Sequence, residues 1–187
     1  WGASELQAIG LAARLLNRTD WRDRLLRDYV PFTLAWIAGR YPAFYRRIDH
    51  SWRVFPQIAY TIRPQVYGLI QLADWIPDGR IWAGLCLGWF FKLNPTGTDM
   101  VDWTHGRVYD GIESRHQVNR NSGAESTIEG LMALLVLNDY PELLIGAAAR
   151  PLCEKHPAYF VELFDGRMIE IISQSGQAPL IRYHHDP

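Results

Sequence analysis

Cysteine is scarce in this chain. Cys86 and Cys153 are the two in 187 residues, and no CxxC spacing occurs. That excludes a disulfide framework and a cysteine-based zinc site, and it leans towards a reducing compartment such as the cytoplasm. An excess of one charge is lacking too: 19 Lys and Arg face 20 Asp and Glu, for a formal net charge of −1. Without a basic block there is no clustered face for phosphates, so nucleic acid is not an expected partner. No apolar run is long enough to span a bilayer, and no membrane partner is expected. GxSxG, P-loop and dinucleotide fingerprints are absent, so no cofactor is expected. His50, His105 and His116 have no ligand spacing, and no metal is expected.

What is present is apolar surface: 48% of residues are hydrophobic and 13% aromatic, including 8 Trp. That suits a sizeable core in one domain with a small appendage. The most informative stretch is Asn119-Arg120-Asn121-Ser122-Gly123-Ala124-Glu125-Ser126-Thr127, followed by the wholly apolar Gly130 to Leu137. A dense polar cluster opening a core helix is costly unless its groups are paired or meet a ligand.

The same opening occurs earlier, at Gly2-Ala3-Ser4-Glu5 before Leu6 to Leu16. A looser copy, Pro56-Gln57-Ile58-Ala59-Tyr60, leads into Val66 to Ile70. Polar stops follow each apolar body, at Asn17 to Asp20, Pro77 to Gly79 and Asn138 to Pro141. Further helices are expected over 21–37, with Pro31 kinking or dividing it, over 80–91 and over 142–150. The pattern predicts three helical hairpins with repeat character. Pro64 places the start of the third opening's helix near Ile62. Segments 42–56 and 94–123 read as loops, the second with a turn at Asp110-Gly111. From Tyr159 the period changes to that of strands: Tyr159 to Phe164, a turn at Asp165-Gly166, Arg167 to Ile172, then Leu180 to Tyr183. The expected boundaries are a helical domain over 1–157 and a β appendage over 158–187. Trp1, standing directly on a helix opening, points to a piece of a longer chain.

Four segments follow in order: Phe55 to Tyr60, Ala83 to Phe91, Gly106 to Ile112, and Asn119 to Thr127. That order resembles the C-terminal half of six-hairpin (α/α) toroid proteins, a superfamily of glycosidases and related polysaccharide-processing enzymes. The resemblance covers roughly residues 1 to 150 and includes three hairpins of the six. It implies a mainly α fold, antiparallel helical hairpins forming part of a toroid, with a funnel for carbohydrate at the inner-helix N-termini. It implies glycoside hydrolase-like activity, with a non-catalytic carbohydrate-binding or scaffold module, or a lyase or isomerase, as alternatives. It also implies a missing N-terminal half, or a second copy packed on exposed faces of helix 1–37 or helix 124–150. The piece alone is then expected to be inactive.

Glycoside hydrolysis uses two carboxyl groups, one protonated and one ionised. Asp99, Asp102, Asp110, Glu113, Glu125 and Glu5 are the carboxylates in reach of the expected mouth, and Asp110 and Glu125 are the preferred acid/base pair. Capping for Glu125 and a turn role for Asp110 are the competing assignments. Tyr60, Trp103, Asn119, Arg120, Asn121, Glu5 and Gln57 are the expected sugar contacts, by stacking or hydrogen bonding. Glu129 reads as a partner for an arginine.

Overall fold

The computed structural model describes residues 3–30, 33, 44–46, 51–53, 56–114, 116–155, 158–172 and 180–184. Trp1, Pro31, residues 34–43, His50, His185 and Asp186 lie outside them.

The first two helices are α1 (Ala3–Leu15) and α2 (Thr19–Asp28). Asn17 ends α1 in the left-handed region, with φ 51, and asparagine tolerates that region well. The Arg18 N–H then reaches the Ala13 carbonyl at 2.8 Å and the Asn17 N–H reaches Arg14 at 3.3 Å, which closes the helix with two of its free carbonyls satisfied. Along α2, Arg22 pairs with Asp23, and Arg24 and Arg27 with Asp28. Its outward face is solvated, as its charge pattern requires.

At the centre lies α3 (Ile62–Leu72), with Ile62, Gln65, Val66, Gly68, Leu69 and Leu72 buried. Pro64 sits in its first turn, where a missing N–H costs nothing. Helix α1 runs parallel to α3: Leu6 and Gln7 pack on Gly68, Leu72 lies by Gly10, and Arg14 pairs with Asp74 at 3.2 Å. A Cβ at Gly68 would lie 2.7 Å from Leu6, so glycine sets this approach. The return helix α4 (Gly79–Gly88) carries Trp89 and Phe90 at its end, fully buried and edge to face at 5.2 Å.

Helix α5 (Ala124–Asp139) packs against α3 and buries Ser126, Gly130, Ala133 and Val136. Helix α3 therefore stands between α1 and α5. Both flanks keep apolar side chains in water, Leu11 and Leu15 on α1 with Leu16 just after it, and Ile128, Leu131, Met132 and Leu135 on α5. Among the described residues no single helix is long and apolar enough to cross a membrane.

Among the described residues there are also eleven short strands, all paired antiparallel. Strands β1 (Phe44–Arg46) and β2 (Ser51–Arg53) form one hairpin. Strands β4 (Val101–Asp102) and β5 (Arg107–Val108) form a second. Strand β3 (Gln57–Ile58) pairs with β6 (Gly111–Ser114), which pairs with β7 (Gln117–Asn119). The last sheet has the order β11-β10-β9-β8, from β8 (Arg150–Lys155), β9 (Ala158–Glu162), β10 (Met168–Ile172) and β11 (Leu180–His184). Alternate residues Tyr159, Val161, Ile169 and Ile171 of this sheet join the same core as the helices. Two further hydrogen bonds hold it there, Trp82 Nε1–H to the Tyr183 hydroxyl at 3.1 Å and Phe164 N–H to the Ile145 carbonyl at 3.0 Å.

The expectation of a mainly α fold, part of an (α/α) toroid, is thereby corrected. Among the described residues six helices and eleven strands make a mixed fold, with a four-stranded antiparallel sheet packed on the helices. The expected third hairpin fails physically at its second arm. After a 3-10 turn at Pro141–Leu143, only the single-turn α6 (Leu144–Ala147) forms before β8 begins at Arg150. The 94–123 segment read as loop holds β4 to β7, in strands of two to four residues that are too short to display alternation. Gly111 lies within β6 and not in a turn: a Cβ there would be 2.1 Å from the Gln57 carbonyl oxygen. The Asp165-Gly166 turn and the three strands after Tyr159 form as expected, with Gly166 at φ 88, and β8 joins them as a fourth.

Helices α4 and α6 touch through two glycines. A Cβ on Gly84 would fall 2.2 Å from the Leu143 carbonyl oxygen, and one on Gly146 would fall 2.3 Å from that of Ile81. Gly84→Ala is therefore expected to destabilise the fold by about 1–3 kcal/mol, the usual cost of overpacking. The urea midpoint should drop at unchanged slope. A midpoint equal to wild type would mean that the two helices do not meet at this crossing.

Candidate functional site

Asp110, half-buried between β5 and β6, is where the polar cluster converges. Its N–H donates to the Asn121 carbonyl at 2.8 Å, and its own carbonyl accepts the Ala59 N–H at 2.9 Å. Its carboxylate Oδ1 accepts the Gly123 N–H at 2.9 Å. Gly123 is the extended residue preceding α5, with φ −67 and ψ 157, and has no side chain with which to cap the helix. Asp110 supplies the capping oxygen from another element, and its negative charge suits the positive end of the helix.

Two more residues of the cluster are used in docking α5. Ser122 donates its hydroxyl to the Val108 carbonyl at 2.8 Å and lies 3.3 Å from the Thr127 hydroxyl, which accepts the Val108 N–H at 3.3 Å. Asn119 Oδ1 accepts the Asn121 N–H at 3.1 Å and shapes the turn into the helix. Arg120 is exposed; it donates to the Tyr109 hydroxyl at 3.3 Å and holds its guanidinium 5.1 Å from the centre of the Tyr109 ring. Asn121 and Glu125 are exposed, Glu125 in the first turn of α5. Tyr60 is half-buried in the 3-10 turn Ala59–Thr61, next to the residue that bonds Asp110.

Arg63 in the first turn of α3 and Glu129 in the second turn of α5 form a two-pronged ion pair, with Nη2 to Oε1 at 2.9 Å and Nε to Oε2 as the second prong. With side chains 30% and 23% exposed, the pair is partly shielded from water. It bears out the arginine partner expected for Glu129, and it locks the two helix starts side by side.

Of the nine preferred residues, the structure gathers Asp110, Asn119, Arg120, Asn121, Glu125 and Tyr60 at the start of α5. Gln57 turns inward instead: it is 1% exposed, and its Oε1 accepts the Trp89 indole N–H at 2.8 Å. Glu5, one residue before the Leu6–Gly68 contact, lies about 10 Å further along the helix axis than Tyr60 at 1.5 Å per residue. Trp103 stands at the tip of the β4–β5 hairpin, 64% exposed and stacked on Phe91. The remaining carboxylates are paired locally: Asp99 with Lys92 at 3.4 Å, Glu113 with Gln117 at 2.6 Å, and Asp102 with His105 and Arg107. The hydrogen bond from His105, then that from Arg107, holds the Asp102 carboxyl below the usual carboxylate range against its partial desolvation. His184 ends β11 and contacts Glu170 at 3.0 Å.

The docking roles of Ser122 and Thr127 escaped sequence reasoning; their only signal was hydroxyls placed around a Gly-Ala opening. The cluster is an open surface. A mainly apolar cleft of about 280 Å³ lies elsewhere, between α1 and α2, lined by Ile9, Trp21, Arg24, Leu25 and Tyr29. Among the described residues no three His, Cys, Asp or Glu side chains group as a metal site. Comparison with protein-family models gives no match, and comparison with curated proteins gives none either.

Two measurements probe this construction. Asp110→Ala should lose the cap and about 0.5–2 kcal/mol of stability, while Asp110→Asn, which keeps an accepting oxygen, should lose less. Equal thermal shifts for both would remove Asp110 from the capping role. For Arg63 and Glu129, a double-mutant cycle with alanine should return a coupling of about 1–3 kcal/mol. A coupling near zero would place the pair among ordinary surface contacts.

Proposed function

We propose that this chain binds carbohydrate on the open surface where α5 begins. One observation carries the reading. After Ser122 and Thr127 have been consumed in docking the helix, the guanidinium of Arg120, the amide of Asn121 and the carboxylate of Glu125 remain exposed in one turn of chain. Donors, acceptors and a carboxylate set beside Tyr109 and Tyr60 match a ring with hydroxyls on its edge and C–H groups on its faces. Neither a phosphate nor an apolar ligand fits as well, because Asp110 and Glu125 place negative charge where the first would sit, and the second would strand polar groups.

Hydrolysis is the second reading, favoured by the arrival of two carboxylates at one helix start. In it, Asp110, which accepts the Gly123 N–H, and Glu125 form the acid/base pair. Arg120 and Asn121 position the sugar in both readings.

Calorimetric titration with neutral and acidic oligosaccharides tests the proposal. Arg120→Ala combined with Asn121→Ala should weaken binding about tenfold or more, the worth of one or two lost hydrogen bonds. Absence of binding by any sugar at millimolar concentration would end the carbohydrate reading. Glu125→Gln and Asp110→Asn separate the two readings. A hydrolase should lose about 10²–10⁴-fold in turnover while binding persists, and a binder has no turnover to lose.

A further inference from the structure

We infer that the β4–β5 hairpin is a second contact point for the same ligand, an aromatic platform that makes this surface prefer chains of sugars over single sugars. The inference rests on the carbohydrate reading above and extends it to the substrate class. Its first support is Trp103, which leaves 64% of its surface in water. Tryptophan is a large apolar residue that folding normally covers, and this chain buries Trp89 completely. The Trp103 ring lies nearly parallel to that of Phe91, centroids 6.3 Å apart and planes at 9°. That contact backs one side of the indole, and its exposure leaves the other free to meet a ligand.

The second support is the bracing of the hairpin tip. Val101 pairs with Val108 and Asp102 with Arg107, and Gly106 makes the turn at φ 63. Inside the turn the Asp102 carboxylate, 13% exposed, accepts from the His105 backbone at 3.2 Å, from His105 Nδ1 at 2.8 Å and from Arg107 Nε at 3.0 Å. A carboxylate with three donors on it fixes the turn that carries Trp103. Stacking on a ring already held in place forfeits little conformational entropy.

The third support is placement. Strand β5 runs directly into Tyr109 and Asp110, and the three steps from Arg107 to Asp110 span about 10 Å when extended. A ligand that touches both the start of α5 and the indole must be longer than one sugar ring. Arg120, on the Tyr109 side, and Trp103 would then meet different sugars of one chain, with Asp102 as a positioning residue for the indole.

The test uses cellulose-, xylan- and pectin-derived ladders of one to six sugars, titrated calorimetrically against the whole chain. In wild type the affinity should rise about tenfold from the single sugar to the longest chain, the scale of one aromatic stacking contact. Trp103→Ala should abolish the rise with chain length, and Trp103→Phe, which restores a ring, should recover most of it. Because Trp103 is exposed, both variants should melt with wild type. A length dependence that is absent in wild type, or that survives Trp103→Ala, would overturn the platform while sugar binding at α5 stands. Failure of every sugar in every ladder would remove the carbohydrate reading itself, and the platform with it.

Discussion

Asp110 has three hydrogen bonds that join segments far apart in the chain. Through its carbonyl it holds the turn that leads into α3, through its N–H it holds the backbone at Asn121, and through its carboxylate it caps α5 at Gly123. The residue sits between two short strands, neither of which has enough pairs to fix its own register. What fixes them is this junction. Once Asp110 is set, the starts of α3 and α5 lie side by side, and Arg63 and Glu129 fall within reach of each other. The exposed polar groups at the start of α5 are a consequence of that geometry.

Close backbone approach does comparable work on the other side of the core. The crossing of α4 and α6 at Gly84 and Gly146 leaves no room for a side chain on either helix. It brings α6 close enough for Ile145 to accept a hydrogen bond from Phe164, so the four-stranded sheet is seated on the helices by a backbone contact. Trp82 and Tyr183 add a side-chain contact to the same junction. The sheet and the helices consequently share one core, and β8 grows directly out of the helical segment at Arg150, before the boundary drawn at 157 from the change of period.

The surface at the start of α5 combines rigid and free groups in a useful division. Ser122, Thr127, Asn119 and one oxygen of Asp110 are committed to holding the backbone, and Asn121, Glu125 and Arg120, which rests on Tyr109, are exposed. Polar residues that are anchored by their neighbours hold the free ones in a fixed spacing, which lowers the entropic cost of meeting a ligand. The β4–β5 hairpin repeats the arrangement, with Asp102 committed and Trp103 free.

The amino-acid sequence by itself determined the features that depend on neighbours along the chain. Pro64 set the start of α3, the polar stop at Asn17 ended α1, Asp165-Gly166 made its turn, and the strand period after Tyr159 produced three strands. It also marked Asn119 to Thr127 as a place where polar groups need partners. Only the tertiary structure decided which partners they have, because a hydroxyl looks the same whether it will bond Val108 or a ligand. The register of two-residue strands, the burial of Gln57 against Trp89 and the replacement of a third helical hairpin by β8 all depend on contacts between distant segments. Those contacts outweigh local propensity wherever an element is too short to stand alone, and that is why a chain read as helices became a mixed fold.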